Sequence, residues 1–201
     1  MRAIIISNPV KNIKKLIDIN KDDFIIAVDK AFDICLKEKV SPNLLIGDFD
    51  SIESNETEYS KYKRIKFSKE KDETDTYLAL IEAEKLDPEE IIILGGIKGN
   101  RVEHFIANMF LFKINDNIKF IDENNYIFVL NIGNHCLFQD EYKYISFFAI
   151  EDSIIDLIGF KYPLNNYNLK LYDPLCVSNE IIDSGLIRIK KGKVLVIKSN
   201  D

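Results

Sequence analysis

A rhythm in the first 125 residues constrains the fold more than any other feature: short runs of Ile, Leu, Val and Ala alternate with helical patterns. AIIIS (3–7) reads as a buried strand, and FIIAVD (24–29) as a second that ends on Asp29. A helical pattern follows from Ala31 to Lys39, and NLLIGDFDS holds a third strand. RIKFS (64–68), EIIILGG (90–96) and IKFIDE (118–123) supply further strands, with helices expected over 74–86 and 102–114. Unbroken apolar strands separated by helices predict a mainly parallel sheet covered on both faces, a three-layer α/β domain.

The texture then changes. YIFVLN, HCLFQ, YISFFAI, IIDLIGF, LKLYD, LIRIKK and KVLVIKS are short strand-like stretches, separated by turn signals such as NIGN, YPLNN, YDP and KKGK. With no convincing helix left, an antiparallel β-sandwich or jelly-roll-like domain is expected over 126–201, after an α/β domain over 1–125. A β domain of roughly 75 residues is marginal alone, which favours packing on a neighbour or a second chain.

Composition narrows the function. The net charge is −6, and no Lys/Arg block offers the basic face that nucleic-acid binding needs. An acidic chain that handles phosphates must gather positive charge locally, from a cation, a few Arg/Lys or helix N-termini. The apolar run in MRAIIISNPV is too short for a signal-peptide core or a membrane span. Cys35, Cys136 and Cys176 are odd in number and far apart, which suits a reducing cytoplasm and gives no zinc pattern.

In an open parallel sheet, ligands bind beyond the carboxyl ends of the strands. Asp29, Asp48, Asp50 and Asp75 fall at such ends or at the start of the next helix. In an extended stretch Asp48 and Asp50 point the same way, and two converging carboxylates make a hard oxygen site suited to Mg²⁺. The plainer alternative is a polar turn in which both cap backbone amides. In DETD (72–75), Asp72 makes a good helix N-cap and Asp75 resembles part of a capping box. Four aspartates at two successive strand ends would nonetheless repel one another strongly without a cation.

ILGGIKGNRVEHF follows a strand and opens a helix. Gly95, Gly96 and Gly99 let backbone come close to a ligand, and the helix N-terminus offers free amides to an anion. The run is neither a P-loop nor a GxGxxG fingerprint. Arg101 at the helix entrance matches phosphate oxygens bidentately, or is a solvated surface charge. Glu103 suits the first helical turn without any function, and a lone helical His104 is more often packed than catalytic. Together the parts suggest phosphoryl-type chemistry on a nucleotide, which needs positioning and charge neutralisation above all.

These residues resemble the thiamine pyrophosphokinase family over nearly the whole chain. IGDFDSI (46–52) resembles its most specific string, DETD (72–75) its DxTD motif, and GGIKGNRVEHFIAN (95–108) its GGxxGxRxDHxxxN segment, with Arg101, His104 and Asn108 in place. AVDKAFDICLKEKVSPNLLIGDFDS resembles the stretch around its first acidic strand end, where Asp29 matches. GFKYPL (159–164) and VSNE (177–180), followed by IRIKKGKVLVI, resemble its C-terminal signature.

The resemblance implies transfer of the β,γ-pyrophosphoryl group of ATP to the hydroxyl of thiamine, giving thiamine diphosphate and AMP. It implies that Asp48, Asp50, Asp72 and Asp75 bind Mg²⁺ and orient or deprotonate the alcohol. Asp29, Gly95, Gly96, Gly99, Arg101, Glu103, His104 and Asn108 would hold ATP, with Arg101 also acting in catalysis. Tyr162, Ser178 and Asn179 would lie at the thiamine pocket, where an aromatic face suits a thiazolium cation. A cytoplasmic homodimer is implied, with each active site shared between the α/β domain of one chain and the β domain of the other. The sequence departs from the pattern in Glu103, where the family usually has Asp, in DKAF (29–32), which lacks the usual glycines, and in Tyr162, where some members have Trp. Two other functions fit part of the pattern: a Mg²⁺-dependent nucleotidyl- or glycosyltransferase, and a non-catalytic thiamine- or nucleotide-binding protein.

Overall fold

The strand runs of the first half become one parallel sheet in the computed structural model, which describes residues 1–70 and 72–201. The chain is a mixed α/β protein of two units, Met1–Glu123 and Asn124–Asp201. In the first unit, β1 (Arg2–Ser7), β2 (Phe24–Val28), β3 (Leu44–Gly47), β4 (Arg64–Lys66), β5 (Glu90–Gly95) and β6 (Ile118–Ile121) lie in the order β6-β5-β1-β2-β3-β4. Every neighbouring pair is parallel. Helices α1 (Ile13–Leu16), α2 (Ala31–Glu38), α3 (Glu56–Tyr59), α4 (Asp75–Glu84) and α5 (Val102–Met109) connect them.

The sheet is apolar on both faces because both are covered. Ile4, Ile6, Ala27, Leu45 and Leu94 share one core cluster with Phe32 of α2. Residues of the other parity, Ile5, Ile26, Ile46 and Ile93, are equally buried. Each such isoleucine stabilises the fold by about 1.5–3 kcal/mol relative to exposure. Helix α2 stops where Lys39 turns left-handed (φ 55°), its N–H closing back on the Cys35 and Leu36 carbonyls. The helix expected over 102–114 ends at Met109, and Phe110–Lys113 tightens into a 3-10 turn.

The second unit is antiparallel: β7 (Asn125–Leu130), β8 (Gly133–Phe138), β9 (Tyr144–Phe160), β10 (Leu164–Leu169) and β11 (Ile181–Ser199). Two pairs of expected strands prove continuous. YISFFAI and IIDLIGF are both β9, and LIRIKK and KVLVIKS are both β11. The β9–β11 ladder shifts register around Lys191 and Lys193, beside Gly192, whose φ of +82° and contact with Ser153 leave no room for a side chain. Beyond that irregularity β11 pairs with β7, and before it with β8. Both halves feed one core, in which Phe147 and Phe160 meet edge to face at 5.5 Å. LKLYD is not a strand beyond Leu169, whereas LNNYNL, which begins inside the expected YPLNN turn, forms β10 on the β9 edge.

Candidate functional site

Parallel register brings four strand ends to one edge of the first unit. Ser7 ends β1 opposite Gly95 of β5, Val28 of β2 lies opposite Ile46 of β3, and Asp29 and Asp48 are the next residues out. Asp29 takes a positive φ of 43°, an uncommon backbone for this residue that points to function. Its Oδ1 accepts the Phe49 N–H at 3.2 Å, and a Cβ on Gly47 would fall 1.6 Å from that oxygen. Glycine at 47 is therefore what lets Asp29 reach across the end of β3. Asp48 Oδ1 accepts the Asp50 N–H at 3.0 Å in a local turn, and Asp48 lines the cleft. Asp50 accepts Lys69 Nζ at 2.5 Å.

DETD leads into α4. The N-cap is Thr74, whose Oγ1 accepts the Tyr77 N–H at 3.2 Å, so the capping expected of Asp72 falls to its neighbour. Asp72 is exposed, and Asp75 is the first residue of the helix. One residue further, Thr76 Oγ1 meets Ser7 Oγ at 3.1 Å in a buried pair that lines the cleft.

The glycine loop forms the opposite wall. Gly96 (φ +71°) lies against Ser7 and Asn108, and Asn108 Nδ2 donates to its carbonyl at 2.7 Å. Asn108 is buried, so its first task is to hold the loop. Gly99, Arg101 and His104 line the same wall, with Lys98. Arg101 Nε donates to Glu103 Oε1 at 2.7 Å in an exposed pair, and this bond holds the Glu103 carboxyl below its ordinary range. Gly95 and Glu103 do not reach the cleft wall among the described residues.

The result is an open cleft of about 710 Å³. Asp29, Asp48, Asp50, Asp72 and Asp75 line one side of it. Burial, and then the charge of Asp75, push the Asp29 carboxyl up to about 7, with the hydrogen bond that the protonated Asp29 donates to Asp75 and the charge of Asp48 adding to the rise. Like charges are thus crowded here, and Lys69 covers one of them. Among the described residues no three His, Cys, Asp or Glu side chains already converge as a ligand set. An oxygen-only donor group of this kind still fits Mg²⁺, which keeps waters and takes one or two carboxylates together with substrate phosphates. Sequence reading missed Ser7, Thr76, Lys69 and Lys98. Single hydroxyls and lysines at strand ends carry no pattern, though the position of Ser7 at the end of β1 is a usable signal.

In the second unit, Tyr162 is 59% exposed, and Lys161 Nζ lies 5.7 Å from its ring centre. Asn179 is 3% exposed. Its Oδ1 accepts the Tyr162 and Glu180 N–H groups at 3.0 and 2.9 Å, and its Nδ2 donates to the Tyr162 carbonyl at 2.9 Å. Its carboxamide is therefore committed to shaping the Tyr162 segment. Ser178, exposed and at φ 55°, donates its N–H to Ser146 Oγ at 2.9 Å.

Two family profiles match the chain. "Thiamin pyrophosphokinase, catalytic domain" covers residues 16–121, and "Thiamin pyrophosphokinase, vitamin B1 binding domain" covers residues 134–194. A thiamine pyrophosphokinase of Bacillus subtilis is 39% identical over 192 residues, spanning 88% of this chain and 87% of the relative. A crystal structure of thiamine pyrophosphokinase from Bacillus subtilis superposes with a TM-score of 0.83 at 32% identity, covering 100% of both chains. A Geobacillus thermodenitrificans thiamin pyrophosphokinase structure gives 0.83 at 26% identity, covering 100% of this chain and 98% of the other.

Proposed function

The chain belongs to the thiamin pyrophosphokinase family, and on that premise we propose that the cleft of Met1–Glu123 holds ATP and carries the reacting groups. Its activity is that of a thiamine diphosphokinase. The hydroxyethyl oxygen of thiamine bonds to the β-phosphorus of ATP. The bond from that phosphorus to the α,β-bridging oxygen breaks, AMP leaves, and the alcohol proton is released.

Asp48, Asp50, Asp72 and Asp75 are the residues that would hold Mg²⁺. When bound, the ion offsets the negative charge of the transferring phosphates. The same carboxylates orient the thiamine hydroxyl and take up its proton. Asp29 holds the Asp48 loop through the Phe49 amide. Arg101 exchanges its exposed Glu103 partner for polyphosphate oxygens, a small loss because such surface pairs contribute little. The amides of Gly96 and Gly99 face the phosphates, with Asn108 fixing the loop. His104, on the same wall, completes the nucleotide side.

The second unit, read as a β-sandwich, is the thiamine side, with Tyr162 and Ser178 next to the ring and Asn179 behind them. We place the protein in the cytoplasm as a homodimer with sites shared between chains. Support comes from its free thiols and from exposed Tyr172, Leu175 and Ile182, which a second copy would cover. Among the described residues, no helix is long and apolar enough to cross a membrane. If the site is shared, Asp75→Asn and Tyr162→Lys chains, mixed and allowed to exchange, are more active than the two variants unmixed. Recovery no greater than in unmixed controls removes the shared site.

One observation carries the reading of the cleft: aspartates from three separate loops meet at one sheet edge, opposite a glycine loop that ends in Arg101. The test is a product assay with ATP, Mg²⁺ and thiamine. Thiamine diphosphate with one AMP per turnover is expected. Thiamine monophosphate with ADP would move the attack to the γ-phosphorus, and no thiamine product from folded protein would overturn the reading.

A further inference from the structure

We infer that Asp33, a carboxylate outside the cleft, is a positioning residue for the loop that carries Asp48 and Asp50. The inference rests on reading that loop as the cation and polyphosphate side of the site. Asp33 sits in the first turn of α2, is 5% exposed, and does not line the cleft. Both of its oxygens are committed to one distant segment. Oδ2 accepts the Glu53 N–H at 2.9 Å, and Oδ1 accepts the Ser54 N–H at 3.1 Å together with the Ser54 hydroxyl. Burial opposes ionisation here, yet these donors outweigh it and hold the carboxyl below its ordinary range.

An acidic residue in a first helical turn suits the helix dipole with no particular partner. Asp33 does more, because α2 and the two residues before it grip the same loop at both ends. Asp29 Oδ1 takes the Phe49 amide, Lys30 pairs with Glu53 at 2.5 Å, and Asp33 takes the amides of residues 53 and 54. Phe49 itself is buried, against Tyr59 at 5.8 Å. Between these anchors Asp50 and Ser51 project into the cleft. A loop pinned on both sides presents Asp50 already placed. A loop released at 53 and 54 has to be ordered at each binding event, and that entropy is subtracted from the affinity for cation and nucleotide.

The test uses Asp33→Ala, Asp33→Asn and Ser54→Ala in the full chain. Amide hydrogen exchange over 49–54 is measured without ligand, Mn²⁺ binding by calorimetry without nucleotide, and KM separately for ATP and thiamine. For Asp33→Ala, exchange in the loop is expected to accelerate about tenfold or more. Mn²⁺ affinity is expected to fall and the KM for ATP to rise, each by about tenfold, with the KM for thiamine changed by no more than about twofold. Asp33→Asn keeps an acceptor oxygen and recovers most of the loss, and Ser54→Ala falls between. Unchanged exchange, or an equal decline of every parameter together with melting temperature, overturns the inference. Wild-type protein that binds no Mn²⁺ and makes no thiamine diphosphate overturns the reading of the site instead, and loop exchange still reports whether Asp33 holds the segment.

Discussion

The two units expose their candidate functional residues in opposite ways. In Met1–Glu123, the candidate aspartates line an open cleft, Asp50 and Asp72 exposed and Asp29, Asp48 and Asp75 half-buried. Asp50, for example, keeps 48% of its side chain exposed and pairs with the exposed Lys69. In Asn124–Asp201, Asn179 is buried and spends its whole carboxamide on neighbouring backbone. For Asp50 and Asp72, exposed at the cleft, the first arrangement would separate the proposed chemistry from folding. The second joins them, so that Asn179 would serve the proposed thiamine pocket only by shaping Tyr162.

The largest effect tests the first half of that contrast. Asp50→Asn removes a charge proposed to act in the site, and turnover should fall about a hundredfold or more. Melting temperature should stay within about 2 °C, since an exposed pair such as Lys69–Asp50 contributes little. Retained turnover, or a collapse of stability, would break the separation. Asn179→Ala tests the other half. It strands two backbone N–H groups and one carbonyl, which costs about 2–3 kcal/mol. A drop of roughly 5–10 °C in melting temperature is expected, with a raised KM for thiamine and an unaltered KM for ATP. An unchanged melting curve would show that the carboxamide is free for substrate.

The same contrast explains what was legible in the sequence. Strands buried on both faces are unbroken apolar runs, so β1, β2, β3 and β5 and their carboxyl ends could be read, and Asp29 and Asp48 with them. The partners of these ends could not: Ser7 meets Thr76 across 69 positions, and only the parallel register brings them together. In DETD, Asp72 and Thr74 are both good caps, and helix geometry chose the threonine. The long strands β9 and β11 were divided because the chain irregularity near Ser153 and Gly192 breaks apolar alternation. β10 was missed because an edge strand need not be apolar, and LNNYNL resembles a turn.

A subtler effect separates folding from chemistry within the first unit. Asp29, whose ordinary value is 3.8, is raised to about 7 by burial and by Asp75. Between about pH 4 and pH 7 the folded chain keeps a proton that the unfolded chain has released. The stabilisation from that retained proton is full at the acid end, is lost as pH rises through about 7, and is level above. The apo protein should therefore melt lower at pH 8 than at pH 5, and Asp29→Asn should flatten that dependence. A wild-type melting temperature no lower at pH 8, or an identical pH profile for the variant, would remove the crowding of carboxylates.

The smallest expected effect lies where the second unit behaves like the first. The Tyr162 ring is exposed, although its backbone is clamped by Asn179. Substituting the ring should therefore spare the fold and touch only the ligand. An exposed cation–π contact contributes about 0.5–1 kcal/mol, so Tyr162→Ala should raise the KM for thiamine by about two- to fivefold. Tyr162→Trp, with a stronger ring face, should lower it, and both variants should keep the wild-type melting temperature and KM for ATP. If Tyr162→Ala instead unfolds the protein, the ring is part of the core. If it leaves the KM for thiamine unchanged, the cation is held elsewhere and the Asn179 clamp has only a structural purpose.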